Sequence, residues 1–411
     1  MGSSLNPLTE TEIGSICRDA LDKIELKAKK VLVLIPDHTR HAPIHIFFKA
    51  IFKLISRRVK KLDYLIANGT HSPMEMDRIY AHVGITAEEH RTIYRDVEFF
   101  NHLYNKTGEL TGIGTLKAAK IEEITGGLFR EDIEVTINGK ILEYDHILLV
   151  TPVVPHEAVG FAGGNKYFFP GVAGLEVVQT FHWLAAVITN PKINGVKDTP
   201  TRRVINEAVK FIPTPRTCFA FAVNEKDELM CLFAGDPADA WSKAADYSKE
   251  MHIRYLEKPF SKVLAITPAI YEDMWVGGKA MYKLEPVVAD GGELIIYGPK
   301  IRNISFMHEE SIKRLGYHTI DYFVKQPERF KHEEKLIMAH SSNVRGVGSY
   351  ENGVEKPRIT VTLATSISES DCRMVNLNYL DPSSINPDKW RGRTDTLVVD
   401  NAGQDLYRLG K

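Results

Sequence analysis

Val31-Leu32-Val33-Leu34-Ile35 has no polar side chain, and this constrains the fold more than any other stretch. A strand with one wet face alternates polar and apolar residues. A run without a polar position must be covered on both faces, as in the parallel sheets of α/β proteins. The following segment, 45–57, places Phe47, Phe48, Ile51, Phe52 and Ile55 at helical spacing, and 62–67 reads as a second strand. Strand, helix and strand in this order make a βαβ unit with a right-handed crossover. Residues 133–137 and 146–152 read as further strands, with Asn138-Gly139 as a hairpin turn. A helix over 204–212 and a strand over 217–223 come next. The pattern then restarts: strand 262–267, helix 278–289, strand 293–297, and two more strands at 360–365 and 396–399. The predicted fold class is therefore α/β, in two lobes, each a mixed or mostly parallel sheet flanked by helices. The boundary is placed at Glu257-Lys258-Pro259, giving domains 1–257 and 258–411.

Charge narrows the function. With 52 basic and 53 acidic side chains the formal net charge is −1, which excludes nucleic-acid binding through overall charge. A hydrophobic share of 44% supplies two cores and excludes a largely disordered chain. Cys17, Cys218, Cys231 and Cys372 show no C-x-x-C spacing, so they are expected to be buried free thiols in a reducing compartment. Residues 1–15 lack the basic-then-apolar order of a signal peptide, and Asn6 stands where N-myristoylation wants Ser or Thr. Apolar runs such as 147–155 are too short to span a bilayer. The expected location is the cytoplasm, away from membranes.

Three clusters carry chemistry. The first, Asp37-His38-Thr39-Arg40, follows the first strand, where α/β sheets keep their ligands. Asp37 or Thr39 could cap the next helix, but a cap does not explain Arg40, whose planar fork suits a carboxylate or phosphate. The second, Asn68-Gly69-Thr70-His71-Ser72-Pro73, ends the neighbouring strand, so His71 is expected to face Arg40. Asn-Gly allows a tight turn and Pro73 is read as opening a helix. The third runs from His156 through Gly160, Gly163, Gly164 and Lys166 to Pro170-Gly171. Its glycines let the backbone approach a ligand closely. It is not a Walker A loop, because Tyr167 stands where Ser or Thr is required. Lys166 among Tyr167, Phe168 and Phe169 is a candidate covalent lysine. Downstream, His182 beside Trp183 is either a packed core residue or a ligand. His82, His90, His308, His318 and His332 sit in charged stretches and are read as solvated.

In this order, D-x-T-R, N-G-T-H-x-P, H-x-x-x-G-F-x-G-G-x-K-x-x-x-P-G and the later His182 resemble the nickel-pincer-nucleotide-dependent lactate racemase family. The likeness is closest in the N-terminal lobe and looser around Lys279 and through 341–381. It implies an active site in the cleft between the lobes, with 1–257 carrying the cofactor and 258–411 closing over the substrate. It implies a nickel pincer nucleotide, a pyridinium mononucleotide with sulfur groups and Ni(II), joined covalently to Lys166, with His182 completing the nickel coordination. Asp37, His38, Thr39, Arg40, Gly163 and Gly164 would hold the nucleotide, and cofactor synthesis proteins would load it. Arg40 and Lys279 would fix the carboxylate of a small-molecule 2-hydroxy acid; if Arg40 does not hold it, Lys279 or Arg202 is the alternative. His71 and His156 would be the acid/base pair of a racemase or epimerase that moves the C2 hydride to the cofactor and back. Val276 departs from the pattern, since family members acting on lactate carry a glutamine there. A larger acid, such as malate, an aryl lactate or a sugar acid, is then as good a candidate as lactate. Two rival readings use the same residues: a zinc hydrolase built on His71, His156 and His182, and a catalytically silent hydroxy-acid or sugar-acid binding protein.

Overall fold

A computed structural model describes residues 2–3, 6–40 and 42–410. Met1, Ser4 and Leu5, on which part of the N-terminal reading rests, lie outside the described residues. The chain forms two compact units. The first comprises Met1–Val154, Phe161–Val178 and Lys197–Met251; the second comprises Pro155–Gly160, Gln179–Val196 and His252–Lys411. Where the sequence suggested one break at 257, the final crossing is at 251–252, and two earlier excursions assign His156 and His182 to the second unit.

The first unit is built on seven strands: β1 (Gly2–Ser3), β2 (Lys30–Ile35), β3 (Lys61–Ile66), β4 (Phe99–Asn101), β5 (His146–Pro152), β6 (Arg216–Val223) and β7 (Leu229–Gly235). Their order across the sheet is β1-β7-β6-β5-β2-β3-β4. β2 pairs in parallel with both β3 and β5, and β5 with β6; β7 is antiparallel to β6 and β1. As the apolar run required, Val31 to Ile35 are all buried. Helix α1 (Ile44–Ile55) covers one face with Phe47, Phe48, Ile51 and Ile55, and Phe47 stacks on Phe221 at 4.8 Å. The chain leaves β2 in one direction to β3 and later returns on its other side as β5. The gap between the carboxyl ends of β2 and β5 is thus a topological switch point, the usual ligand crevice of an open α/β sheet.

One pairing differs from the sequence expectation. Ile133–Asn138 pairs antiparallel with Leu110–Leu116, not with β5, and Gly139 leads into the short helix Lys140–Glu143. Gly112 and Gly114 weaken the strand signal of the true partner, and the register slips between them.

The second unit holds a wholly parallel five-stranded sheet of β8 (Phe260–Ile266), β9 (Val288–Gly298), β10 (Thr360–Thr365), β11 (Asn378–Tyr379) and β12 (Thr396–Val399), ordered β11-β10-β9-β8-β12. The helix expected over 278–289 is shorter, Lys279–Leu284, because Pro286 ends it in a 3-10 turn. The four cysteines are buried and free. Among the described residues no helix is long and apolar enough to cross a membrane.

Candidate active site

Asp37, Thr39 and His71 meet beyond the carboxyl ends of β2 and β3. Neither Asp37 nor Thr39 caps helix α1, which starts behind Pro43 with no side-chain cap. Instead the Thr39 N–H and hydroxyl donate to Asp37 Oδ1 at 2.7 and 2.5 Å. His71 Nδ1 lies 3.0 Å from Asp37 Oδ2 and 3.2 Å from Thr39 Oγ1. Asp37 is 2% exposed. Burial alone would push its carboxyl up, but His71, the charge of Arg40 and the Thr39 hydroxyl outweigh this and hold it well below the usual carboxylate range. An ionised carboxylate can only accept, so His71 Nδ1 carries the proton of the neutral ring and Nε2 the lone pair.

The local backbone explains how His71 is presented. Gly69, at φ +58°, turns the chain after β3, and the His71 N–H donates to Asn68 O at 3.0 Å. Pro73 does not open the helix, which begins at Met76 with Glu75 as N-cap. The sequence set His71 against Arg40; the structure sets Asp37 and Thr39 against its Nδ1, with Arg40 acting on the same carboxylate. His38 is exposed and its Nε2 accepts from Arg78 at 3.0 Å.

The glycine loop of the first unit presents Lys166 in a 3-10 turn, Gly164–Tyr167. Gly163 and Gly164 have φ of +83° and +59°. A Cβ at Gly163 would meet Val153 Cγ2 at 2.8 Å, and one at Gly164 would meet Trp241 Cβ at 2.8 Å, so the chain itself uses this freedom. Three successive carbonyls are gripped by two side chains that the motif reading did not connect to the loop. Arg202, from the helix Pro200–Val209, donates to Phe161 O and to Gly163 O at 3.2 Å; Trp241 Nε1 donates to Ala162 O at 2.8 Å. The guanidinium lies 4.1 Å over the Trp241 ring. Arg202, read as a reserve cation for a substrate, is 3% exposed and committed to the backbone, and burial pulls it down to about 9. Burial also pushes the Tyr167 phenol up, with Arg40 opposing and Asp37 adding, so the charges of the first cluster reach the Lys166 loop. Next to Lys166, the Asn165 amide donates to Asn206 Oδ1 at 3.0 Å, and the buried Asn165 Oδ1 has no hydrogen-bond partner among the described residues.

In the second unit, His156 is 9% exposed, and its Nδ1 accepts from the Ala158 N–H at 3.1 Å, with Glu157 Oε2 3.3 Å away. A neutral His156 accepting at Nδ1 carries its proton on Nε2, the opposite tautomer to His71. His182 is partly buried on the helix Leu175–Ile188. Lys279 Nζ lies 5.3 Å from the Tyr271 ring centroid. Its charge also partly offsets the upward push of burial on the Asp273 carboxyl, which accepts from the Val276 N–H. Among the described residues no group of three or more His, Cys, Asp or Glu is placed to hold a metal.

The histidines read as solvated are mostly not. His308 is 8% exposed, His318 Nδ1 lies 2.7 Å from Glu355, His82 Nε2 bonds Pro36 O and His90 Nε2 bonds Val97 O. Of the five, His332 is exposed as expected. Local charge in the sequence misled here, because tertiary packing supplies both the cover and the partners.

These features define a class: an open-sheet α/β protein whose switch point carries a carboxylate–histidine pair and a clamped, lysine-bearing glycine loop. Comparison with known proteins narrows the class. Residues 13–194 match the family model of the lactate racemase N-terminal domain. The lactate racemase of Thermoanaerobacterium thermosaccharolyticum is 24% identical over 278 residues, 65% of this chain and 59% of that protein. The lactate racemase of Lactiplantibacillus plantarum is 24% identical over 254 residues, 59% of this chain and 52% of that protein. The matches thus span little more than half the length of these curated relatives. A solved Thermotoga maritima protein is 33% identical, with a TM-score of 0.91 over 99% of this chain and 100% of its own. The lactate racemase apoprotein of T. thermosaccharolyticum shares the fold at a TM-score of 0.72 and 17% identity, over 98% of this chain and 93% of its own. Residues 13–194 thus correspond to a lactate racemase N-terminal domain.

Proposed function

We propose that this protein is an isomerase, a racemase or epimerase acting at C2 of a 2-hydroxy acid. The observation that carries the reading is the ionised Asp37 holding His71 by Nδ1, with Asp37 and Arg40 both acting on Tyr167 beside Lys166. A candidate base, a candidate anion-binding cation and a candidate covalent lysine on loops of the first unit support this reading.

The family implies a lysine-linked nickel pincer nucleotide, and the donor set suits it. Lys166 offers an amine on a loop fixed by Arg202 and Trp241, the unpartnered Asn165 Oδ1 offers an acceptor beside it, and His182 offers an imidazole, a proper donor for Ni(II). Lys166 would carry the group, His182 would complete the metal coordination, and Asp37, His38, Thr39, Arg40, Gly163 and Gly164 would hold the nucleotide. When bound, the group supplies the acceptor for the C2 hydride.

The remaining work falls to the chain. Arg40 and Lys279 bind and orient the substrate carboxylate. His71, with its lone pair on Nε2, takes the hydroxyl proton, and Asp37 fixes the ring and balances the imidazolium that results. His156 enters this step as the imidazolium, its Nδ1 proton facing Glu157 Oε2 3.3 Å away. It returns its Nε2 proton to the oxygen as the opposite face is reduced, and is left neutral. Each inversion exchanges the two protonation states, so the enzyme is then set for the other enantiomer. Histidine suits both duties, since its unperturbed titration lies near neutrality. The four buried free thiols suit a reducing compartment, and we place the protein in the cytoplasm.

Isotope retention tests the reading. Protein made alongside cofactor synthesis enzymes, given substrate deuterated at C2 in ordinary water, should keep the label in both enantiomers over many turnovers. A two-base carbanion mechanism would exchange it with solvent. Progressive loss of deuterium would overturn the hydride mechanism.

A further inference from the structure

Three helix ends meet in the second unit at a cavity that none of these roles uses. Helix Leu175–Ile188 stops before Thr189, helix Lys279–Leu284 is capped by Glu285, and helix Lys335–Arg345 by Gly346. Thr189, Asn190, Glu285, Ser342, Asn343 and Gly346 line the cavity, whose volume of about 10 Å³ admits one water-sized body. Thr189 and Asn343 are only partly buried, so the cavity can be reached from solvent on their side.

Most of what faces this cavity is negative or an oxygen donor. The last carbonyls of a helix lack intrahelical partners and carry the negative end of its dipole. Glu285 is 1% exposed. Burial pushes its carboxyl up, opposed by the Val347 N–H, the charge of Arg358 and Asn190. Its Oε1 accepts from the Val347 N–H at 2.7 Å. Arg358 stays 3.9 Å from that oxygen and directs its N–H groups to the Glu285 and Val288 carbonyls and to Asp290. A buried carboxylate with its counter-charge held off in this way is costly. The short helix Ile320–Val324 turns its N-terminus this way, but Glu355 takes the N–H of its N-cap, Thr319.

The backbone is shaped around the carboxylate. Thr189 holds φ +80° and ψ 140°, which a β-branched residue adopts only under constraint, and such strain collects at ligand clamps. Gly346 has φ +86°, and a Cβ there would meet Glu285 Oε1 at 2.7 Å. The Asn190 amide is oriented by donating to Tyr282 O at 2.8 Å, and its Oδ1 accepts from Asn194 at 3.1 Å. We propose that this cavity binds a potassium ion, held by the Glu285 carboxylate with oxygens of Thr189, Asn190, Ser342 and Asn343. One carboxylate among neutral oxygens balances a single charge. Calcium sites gather several carboxylates, and magnesium keeps a shell of waters for which this cavity has no room. Sodium is smaller than a water molecule and would fit loosely, whereas potassium is close to its size. The ion would tie the end of the helix that carries His182 to the two other helix ends. The site stands whether or not the protein is a racemase.

The test is thermal melting of the full chain in potassium, sodium, calcium and choline chlorides at equal ionic strength. The melting temperature should rise saturably with potassium, by about 3 °C or more over choline, with sodium and calcium giving less. Glu285→Gln should melt at or above the wild type in choline, since a buried amide needs no counter-charge, and should lose the potassium response. A purely structural Glu285 would instead make Glu285→Gln melt lower in every salt, and a full potassium response in that variant would remove Glu285 from the site. Crystals of the wild type soaked in thallium(I), a heavy surrogate for potassium, should show an anomalous-scattering peak beside the Glu285 carboxylate. If Glu285→Gln fails to fold, the wild-type salt series and the thallium peak still decide. Equal melting in potassium and choline with no thallium peak would mean that water fills the cavity, and the site would fall. A sodium or calcium response larger than that of potassium would overturn the choice of ion.

Discussion

His71 and His340 are the same side chain in opposite settings. His71 in the first unit is partly exposed and tied by Nδ1 to an ionised, buried carboxylate. His340 in the second unit is buried against Trp275 and has an Nε2 without a hydrogen-bond partner among the described residues. What separates them is the neighbour, not the residue. A carboxylate fixes a tautomer, balances an imidazolium and makes a base; an indole under full burial keeps the ring neutral and leaves only hydrogen-bonding capacity. On that contrast, substitutions in the first cluster should act on chemistry, and substitutions in the second on acid stability.

The largest effect belongs to Lys166, the anchor of the first cluster. Lys166→Ala should abolish both the covalent adduct, read by denaturing mass spectrometry, and turnover. An unmodified Lys166 peptide from demonstrably active enzyme would break the assignment. Next comes the carboxylate. Asp37→Asn keeps the shape but no longer fixes the His71 tautomer, and by analogy with triad aspartates kcat should fall by about 10³ to 10⁴. A loss below tenfold would show that Asp37 serves the nucleotide and not the base. Smaller again is Arg40→Lys. An ammonium cannot reproduce a planar two-pronged contact, so kcat/KM should fall by roughly thirtyfold, about 2 kcal/mol. Near-wild-type kcat/KM would move the carboxylate to Lys279.

The same contrast explains what the sequence disclosed. The βαβ order, the three loop clusters and Lys166 are local signals: an apolar run, a turn dipeptide, glycines at fixed spacing. They were legible because each stands within a dozen or so residues at the end of a strand. Asp37 and His71 were both visible, but not their pairing, because sequence order does not say which side chains at two adjacent strand ends will touch. The Arg202 and Trp241 clamp was hidden for the same reason, coming from two helices that follow the loop. His308 was misread because burial of a histidine in a charged stretch depends on which element packs over it. The excursions 155–160 and 179–196 carry no compositional mark.

The smallest effect sharpens the comparison most, because it concerns the pH window in which each cluster loses its grip. A histidine whose native pKa is depressed stabilises the fold above its unfolded value near 6.5 and loses that contribution as pH falls from there toward the native value. For His308 and His340 those native values are about 4 and about 3. At pH 5 each should therefore destabilise the native state by about 1–2 kcal/mol relative to pH 8. Asp37 works in a lower window: its native pKa is depressed below the carboxylate reference near 3.9, so its contribution persists above that reference and fades only in stronger acid. His102 and His146 in the first unit, each pulled down to about 4 by burial, add a common acid-labile background. Urea unfolding at pH 8 and pH 5 should then show a smaller pH-dependent loss in His340→Phe than in the wild type. An unchanged loss in His340→Phe would mean that this imidazole is already charged or solvated in the native state, and the contrast between the two clusters would fail.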